Sequence, residues 1–145
     1  METKKTIKIA IVEDDVFYNK ALTRYVELEG ESLSKHFSVD IEVKSFTSAA
    51  DSIENLEDDL DIMFLDYFFS SSENDEDLNG LDVLKEIKKH AANCFVIVLS
   101  ELKDVVVAVE LMRNGVYEYL NKDLDSRNRI GSIMHDIVKM KLKEK

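Results

Sequence analysis

The stretch Ile-Lys-Ile-Ala-Ile-Val-Glu-Asp-Asp, residues 7–15, decides the architecture of this chain. Four of its first six residues are β-branched, and the run is nearly continuous in apolar character, which is typical of a strand covered on both faces in a parallel sheet. Apolar residues then recur at helical spacing from Tyr18 to Val26, and Gly30 predicts the end of that helix. A strand therefore gives way to a helix across three acidic residues.

The same alternation of strand and helix continues along the chain. We predict further strands at residues 39–46, 61–66, 94–99 and 117–120, and four more helices between and after them. Each helix is marked by apolar residues at helical spacing, namely Ala50, Ile53 and Leu56; Leu81, Leu84 and Ile87; Val105, Val109 and Met112, with an end near Gly115; and Ile130, Ile133, Met134, Ile137 and Val138.

Five strands alternating with five helices imply an α/β fold of the (βα)5 type. Parallel strands joined by right-handed crossovers place helices on both faces of the sheet, and the natural strand order is 2-1-3-4-5. The last helix ends in a Lys-rich run, Lys139, Lys141 and Lys143, which complements its dipole. In such sheets ligands bind at the carboxyl ends of the strands, near the point where the strand order reverses.

Size and composition limit the class of protein. A chain of 145 residues is long enough to bury one core without disulfides, so we predict a single domain over residues 1–145 with no output domain. The one cysteine, Cys94, lies in an apolar strand and is expected to be buried. The formal charge of −11 would repel phosphate backbones, so we do not expect this chain to bind nucleic acid directly.

Other segments suggest a cytoplasmic protein that does not bind membranes. The first residues lack the apolar stretch of a signal peptide, and the longest apolar run, residues 94–99, is too short to span a bilayer. The polar, acidic residues 70–79 predict an exposed loop whose role stays open. The histidines, His36, His90 and His135, are scattered along the chain, so we expect them at the surface and not in a metal site.

Four of the predicted strands end in residues that one phosphoryl-transfer site requires. These are Glu13 and Asp14 after the first strand, Asp66 after the third, Ser100 after the fourth and Lys122 after the fifth. Carboxylates in one pocket repel one another unless a cation neutralises them, and Mg²⁺ is typically held by one or two carboxylates and a phosphate oxygen. An acidic pair after a strand is also common at a helix N-cap, and for Glu13 and Asp14 that alternative stays open.

Asp66 is the candidate nucleophile, because carboxylates accept phosphoryl groups in a transfer that mainly needs positioning and neutralisation of charge. Lys122 would place its positive charge on one phosphoryl oxygen, and the Ser100 hydroxyl would donate a hydrogen bond to another. The backbone carbonyl of Phe68 is the candidate for one further Mg²⁺ ligand.

Five short motifs accompany these residues. They are Ile-Val-Glu-Asp-Asp (11–15), Phe-Leu-Asp (64–66), Gly-Leu-Asp-Val-Leu (80–84), Val-Leu-Ser (98–100) and Tyr-Leu-Asn-Lys (119–122). Through them the chain resembles, from Ile7 to about Lys139, the receiver domains of two-component response regulators. The resemblance implies a flavodoxin-like fold and a role in phosphorelay signalling.

The resemblance also implies roles for single residues. Asp66 would accept phosphate from a sensor histidine kinase or a histidine phosphotransfer protein, and Glu13 and Asp14 would hold Mg²⁺. Lys122 and Ser100 would sense the phosphoryl group.

By the same resemblance, Tyr119 is the aromatic switch residue that turns inward when Ser100 moves toward the phosphate. The face formed by the fourth helix, the fifth strand and the fifth helix would then bind a downstream protein or a second copy of the chain. The expected output is a change in protein binding and not the turnover of a released substrate, so we do not expect an enzyme.

The chain departs from the family pattern in ways that keep an alternative open. It contains no Pro. The family usually has a Pro at each of the two positions that Ser70 and Asp123 occupy here. The residue after Ser100 is Glu101, where the family usually has a small residue. The alternative is a degenerate receiver that acts as a phosphorylation-independent interaction or dimerisation module. A phosphatase with an Asp nucleophile is less well supported, because Phe68 stands where its general acid would be.

Overall fold

The computed structural model describes residues 4–66, 80–101, 105–123 and 126–143. These residues form five strands, β1 (Thr6–Val12), β2 (Asp40–Phe46), β3 (Ile62–Asp66), β4 (Phe95–Ser100) and β5 (Glu118–Asn121). They also form five helices, α1 (Val16–Phe37), α2 (Ala49–Glu54), α3 (Gly80–His90), α4 (Val105–Arg113) and α5 (Ser126–Lys143).

The five strands pair in one parallel sheet with the order β2-β1-β3-β4-β5. The (βα)5 flavodoxin-like fold and its strand order, both predicted from the sequence, are therefore confirmed. Each strand begins and ends within one residue of its predicted position.

Alternate residues of the strands fill two apolar cores, one on each face of the sheet. Ile9 and Ile11 of β1 pack with α1 and α5, whereas Ala10 and Val12 pack with α2, α3 and α4. Because both faces are covered, the strands read as continuous apolar runs in the sequence. Cys94 lies buried in the second core, as predicted. The five apolar residues predicted on α5 are all buried in the first core.

Helix α1 does not end at Gly30, which the sequence suggested as its stop. It continues to Phe37 and ends at Ser38, whose φ of 56° and ψ of 47° place it in the left-handed conformation common after helices. Gly30 instead permits a close approach of α1 to β2, since a Cβ atom there would lie 2.9 Å from Cγ2 of Ile41. The glycine is explained by packing and not by helix termination.

The apolar residues that mark helix α4 in the sequence are not the ones that it buries. Val105, Val109 and Met112 are 77%, 45% and 49% exposed, whereas Leu111 is buried and Val107 is partly buried against the second core. The helix is apolar on several sides, so its pattern did not identify the buried face. Helix α4 is too short to cross a membrane, and no other helix among the described residues has the length and apolar character to do so.

At the amino edge of the sheet, Lys141 of α5 has a role that the Lys-rich pattern did not predict. It is buried, its Nζ donates to the carbonyl oxygen of Asn93 at 2.9 Å, and it lies 3.3 Å from Oδ1 of Asp61. Oδ2 of Asp61 accepts a hydrogen bond from the N–H of Lys8 at 2.9 Å. Nζ of Lys5 donates to the carbonyl oxygen of Lys141 at 2.6 Å. These contacts fix the end of α5 beneath the sheet.

We predict that Lys141→Met lowers the free energy of unfolding by about 3 kcal/mol, because it leaves Asp61 and a buried carbonyl without their cationic partner. Urea unfolding measures the change. The matched control is Lys139→Met, which replaces an exposed lysine on the same helix and should cost less than about 0.5 kcal/mol. Equal urea midpoints for the two variants would contradict the prediction.

Candidate functional site

The carboxyl ends of β1 and β3 bring three carboxylates together. Because these strands are neighbours, Glu13 and Asp14, which follow β1, lie beside Asp66, the last residue of β3. One carboxylate oxygen of each lies within 4.8 Å of the others. Glu13 and Asp66 are only 1% and 3% exposed. Within the described ranges, no other group of three acidic, histidine or cysteine side chains has a spacing that suits a metal ion.

The ammonium group of Lys122, which follows β5, reaches the same pocket. Its Nζ forms an ion pair with Glu13 and lies 3.2 Å from Oδ1 of Asp66. The N–H of Lys122 donates to the carbonyl oxygen of Ser100 at 2.9 Å, which holds the end of β5 against β4. Although burial lowers it, the contacts with Glu13 and Asp66 keep the pKa of Lys122 above its ordinary value, so the group stays charged.

The carboxyl group of Asp66 is electrostatically unusual. Burial and the neighbouring carboxyl group of Glu13 raise the pKa of Asp66 to about 8, against the opposing effect of Lys122. One ammonium group is therefore not enough to keep all the carboxylates of the pocket ionised at neutral pH. A divalent cation bound by these oxygens would favour their ionised form.

The first turn of α1 fixes the backbone around the pocket. Asp15 is the N-cap, and its Oδ1 accepts hydrogen bonds from the N–H groups of Phe17 and Tyr18 at 3.0 and 3.1 Å. Oε2 of Glu13 accepts from the N–H of Asp15 at 3.1 Å. The capping role that the sequence left open for Glu13 and Asp14 thus belongs to the next residue, Asp15.

Two site residues were not predicted from the sequence. Asn19 is buried in α1, and its Nδ2 donates to the carbonyl oxygens of Glu13 and Phe46, both at 3.0 Å, which joins the loop after β1 to the end of β2. The ring of Tyr18 lies beside Lys122, with 4.4 Å between Nζ and the ring centroid. In the sequence, Tyr18 and Asn19 are marked only by their position just after the N-cap. Exposed residues also occupy such positions, so the position does not identify a site residue.

The predicted switch residues lie on adjacent strands. Ser100 is the last residue of β4, is fully buried, and follows Leu99, which pairs with Asp66 in the sheet. Tyr119 in β5 is half-buried and packs against the core that contains Leu111 of α4. Phe68 and the acidic loop 70–79 lie outside the described residues, so their predicted roles stay predictions.

Two of the histidines lie closer in space than their spacing in the sequence suggested. The rings of His36 on α1 and His135 on α5 have centroids 6.0 Å apart, and both contact Phe37. His36 and His90 are exposed as expected, whereas His135 is partly buried.

Most of the sequence matches the model of one protein family. The sequence model described as "Response regulator receiver domain" matches residues 9–133. The chain therefore belongs to the receiver domains of two-component response regulators. No curated protein sequence gives a significant match.

Solved structures show the same fold. A response regulator receiver domain protein from Clostridium thermocellum is 23% identical with a TM-score of 0.71, covering 93% of this chain and 96% of its own. A CheY-like receiver domain protein from Methanospirillum hungatei is 17% identical with a TM-score of 0.69, covering 98% and 100%. DrrB from Thermotoga maritima, an OmpR/PhoB homolog, is 22% identical with a TM-score of 0.61, covering 95% and 53%.

We predict that Asp66→Asn stabilises the metal-free protein increasingly as the pH rises. The pKa of Asp66 is raised from 3.8 to about 8, so the folded wild type binds this proton more tightly than the unfolded chain and loses stability as the pH rises through that window. The amide has no such loss, so its melting temperature relative to wild type should increase by several degrees between pH 4 and pH 8.

Thermal unfolding in EDTA at a series of pH values measures this difference. Asp136→Asn, which removes an exposed carboxyl group from α5, is the control and should follow the wild-type pH dependence. A constant difference between Asp66→Asn and wild type over the whole pH range would show that the buried carboxyl group carries no raised pKa.

Proposed function

We propose that Asp66 accepts a phosphoryl group and that its modification switches the binding of protein partners. The observation that carries the proposal is the Asp66 carboxylate, buried at the carboxyl edge of the sheet between Lys122 and the acidic residues that follow β1. Membership of the receiver family supports the same role.

The donor set of the pocket fits Mg²⁺. Glu13, Asp14 and Asp66 offer carboxylate oxygens, which are the hard ligands that this ion prefers, and one ammonium group does not balance three carboxylates. We propose that these residues hold the ion, with the carbonyl of Phe68 as the further predicted ligand. When bound, Mg²⁺ supplies positive charge for the oxygens of the phosphoryl group.

The proposed donor is the phosphohistidine of a sensor histidine kinase or a histidine phosphotransfer protein. A carboxylate oxygen of Asp66 attacks the phosphorus atom, an O–P bond forms, and the electron pair of the breaking N–P bond returns to the imidazole nitrogen. Lys122 contacts one phosphoryl oxygen, and the Ser100 hydroxyl donates a hydrogen bond to another. The chain itself carries the product, so it acts as a phosphoacceptor and not as an enzyme with a released product.

Ser100 and Tyr119 would carry the signal away from the pocket. The acyl phosphate adds nearly two negative charges and three acceptor oxygens at Asp66. Movement of Ser100 toward these oxygens makes room for Tyr119 to turn inward. Because Tyr119 shares a core with Leu111 of α4, this rearrangement changes the face formed by α4, β5 and α5.

The exposed apolar side of α4 supports protein binding by that face. Val105 and Val106 are each 77% exposed, and Val109 and Met112 are 45% and 49% exposed. Large apolar side chains grouped at a surface mark interaction sites. We propose a downstream protein or a second copy of the chain as the partner, because the net charge of −11 disfavours nucleic acid.

We predict that acetyl phosphate with Mg²⁺ adds one phosphoryl group to the wild type and none to Asp66→Asn. Intact mass measures the modification, and hydroxylamine, which cleaves acyl phosphates, should remove it. Lys122→Met should slow the modification by roughly two orders of magnitude, because the phosphoryl oxygens lose a buried positive charge. Unchanged wild-type mass together with no response to beryllofluoride would favour the degenerate, phosphorylation-independent receiver.

We also predict that beryllofluoride with Mg²⁺ shifts the wild type toward a dimer through α4. Val109→Glu should weaken this dimer roughly tenfold or more, because a charge enters its apolar surface. Sedimentation velocity measures the association. Leu28→Glu is the matched control, since Leu28 is a similarly exposed apolar residue, at 46%, on α1. Equal loss of the dimer in both variants would exclude a specific role for α4.

A further inference from the structure

Tyr18 contacts the cation of the pocket without belonging to the metal-binding or phosphate-binding groups. Nζ of Lys122 lies 4.4 Å from the centroid of the Tyr18 ring, within the distance at which an ammonium group is attracted to the face of an aromatic ring. The Lys122 side chain is only 9% exposed, so little water weakens this attraction. The N–H of Tyr18 donates to the N-cap residue Asp15, which fixes the first turn of α1 and therefore the position of the ring.

Within the described residues, Lys122 Nζ has two other partners, the carboxylates of Glu13 and Asp66. Both carboxylates also take part in the proposed reaction, because their oxygens bind the divalent cation and Asp66 accepts the phosphoryl group. Until a phosphoryl oxygen is in place, the ammonium group must share these carboxylates with a divalent cation that repels it. Among the contacts of Lys122 Nζ in the described part of the chain, the one with the Tyr18 ring is taken over neither by the cation nor by the phosphoryl group.

The side chain of Lys122 can move out of the pocket into a neighbouring cleft if nothing holds it. A cleft of about 250 Å³ lies beside it between α1 and the start of α5, and Tyr18, Tyr25 and Asp123 are among its lining residues. The carboxylate of Asp123 in this cleft is an alternative partner for an ammonium group. Replacing the Tyr18 ring by a smaller side chain would widen the path from the pocket into the cleft.

We propose that Tyr18 is a positioning residue for phosphoryl transfer, whose ring holds the Lys122 ammonium group at the pocket once Glu13 and Asp66 are engaged by the cation and the phosphoryl group. This inference rests on the proposed function of Asp66. The first turn of α1 would then keep the Lys122 ammonium group directed at the transferred phosphoryl group, in addition to capping the helix.

The test compares Tyr18→Leu, which removes the ring, with Tyr18→Phe, which keeps it. Tyr18→Leu should lower the rate of modification by acetyl phosphate at saturating Mg²⁺ roughly 3- to 30-fold, and Tyr18→Phe should restore it to within about twofold of wild type. The Mg²⁺ affinity of both variants should match wild type, because Tyr18 supplies no ligand atom to the carboxylate cluster. Tyr25→Leu, which removes another ring from the same cleft, is the matched control and should keep the wild-type rate.

A second measurement is independent of the rate. In NMR spectra with Mg²⁺ and beryllofluoride, the ε-methylene protons of Lys122 should show an upfield ring-current shift in wild type and Tyr18→Phe, and should lose it in Tyr18→Leu. The wild-type spectrum alone tests the contact if the leucine variant is unstable. Absence of this shift in wild type, or an undiminished rate in Tyr18→Leu, overturns the role of Tyr18. Failure of wild type to be modified at all overturns the function of Asp66 instead.

Discussion

The contact of one buried ammonium group with two buried carboxylates is the interaction on which the rest of this site depends. The fold removes Glu13 and Asp66 from water, and such burial is costly unless an opposite charge accompanies it. Lys122 supplies that charge, but a single cation leaves an excess of acid in the pocket. The pocket is therefore incompletely neutralised by the side chains around it, which is the condition that favours binding of a divalent cation.

The order of the strands explains why these residues meet although they are far apart in the chain. The sequence runs from β1 to the edge strand β2 and returns to β3 on the other side of β1, so the acids after β1 and the last residue of β3 become neighbours. The strands were predictable because their apolar runs are short and bounded by polar residues. Since parallel strands share one carboxyl edge, Glu13, Asp14, Asp66, Ser100 and Lys122 followed directly from the strand ends.

Features that depend on packing between elements were not predictable. Gly30 resembles a helix stop in the sequence, and only the closeness of α1 to Ile41 explains it. The buried side of α4 depends on what covers that helix, and its apolar residues occur on more than one side. In the sequence Lys141 resembles any other lysine near a helix end, although in the structure it is buried in contact with Asp61 and Asn93. Asn19 and Tyr18 likewise acquire their roles only from the residues that face them.

The hydrogen bond from Lys5 to the carbonyl oxygen of Lys141 has a consequence for protein engineering. It brings the beginning of β1 and the end of α5 together at the amino edge of the sheet, on the opposite side of the molecule from the acidic pocket. A short linker can therefore join these two segments, and new chain ends can be opened in a surface turn, as in circular permutation. Fluorescent reporters attached near Lys5 or Lys141 would leave the approach to the pocket unobstructed.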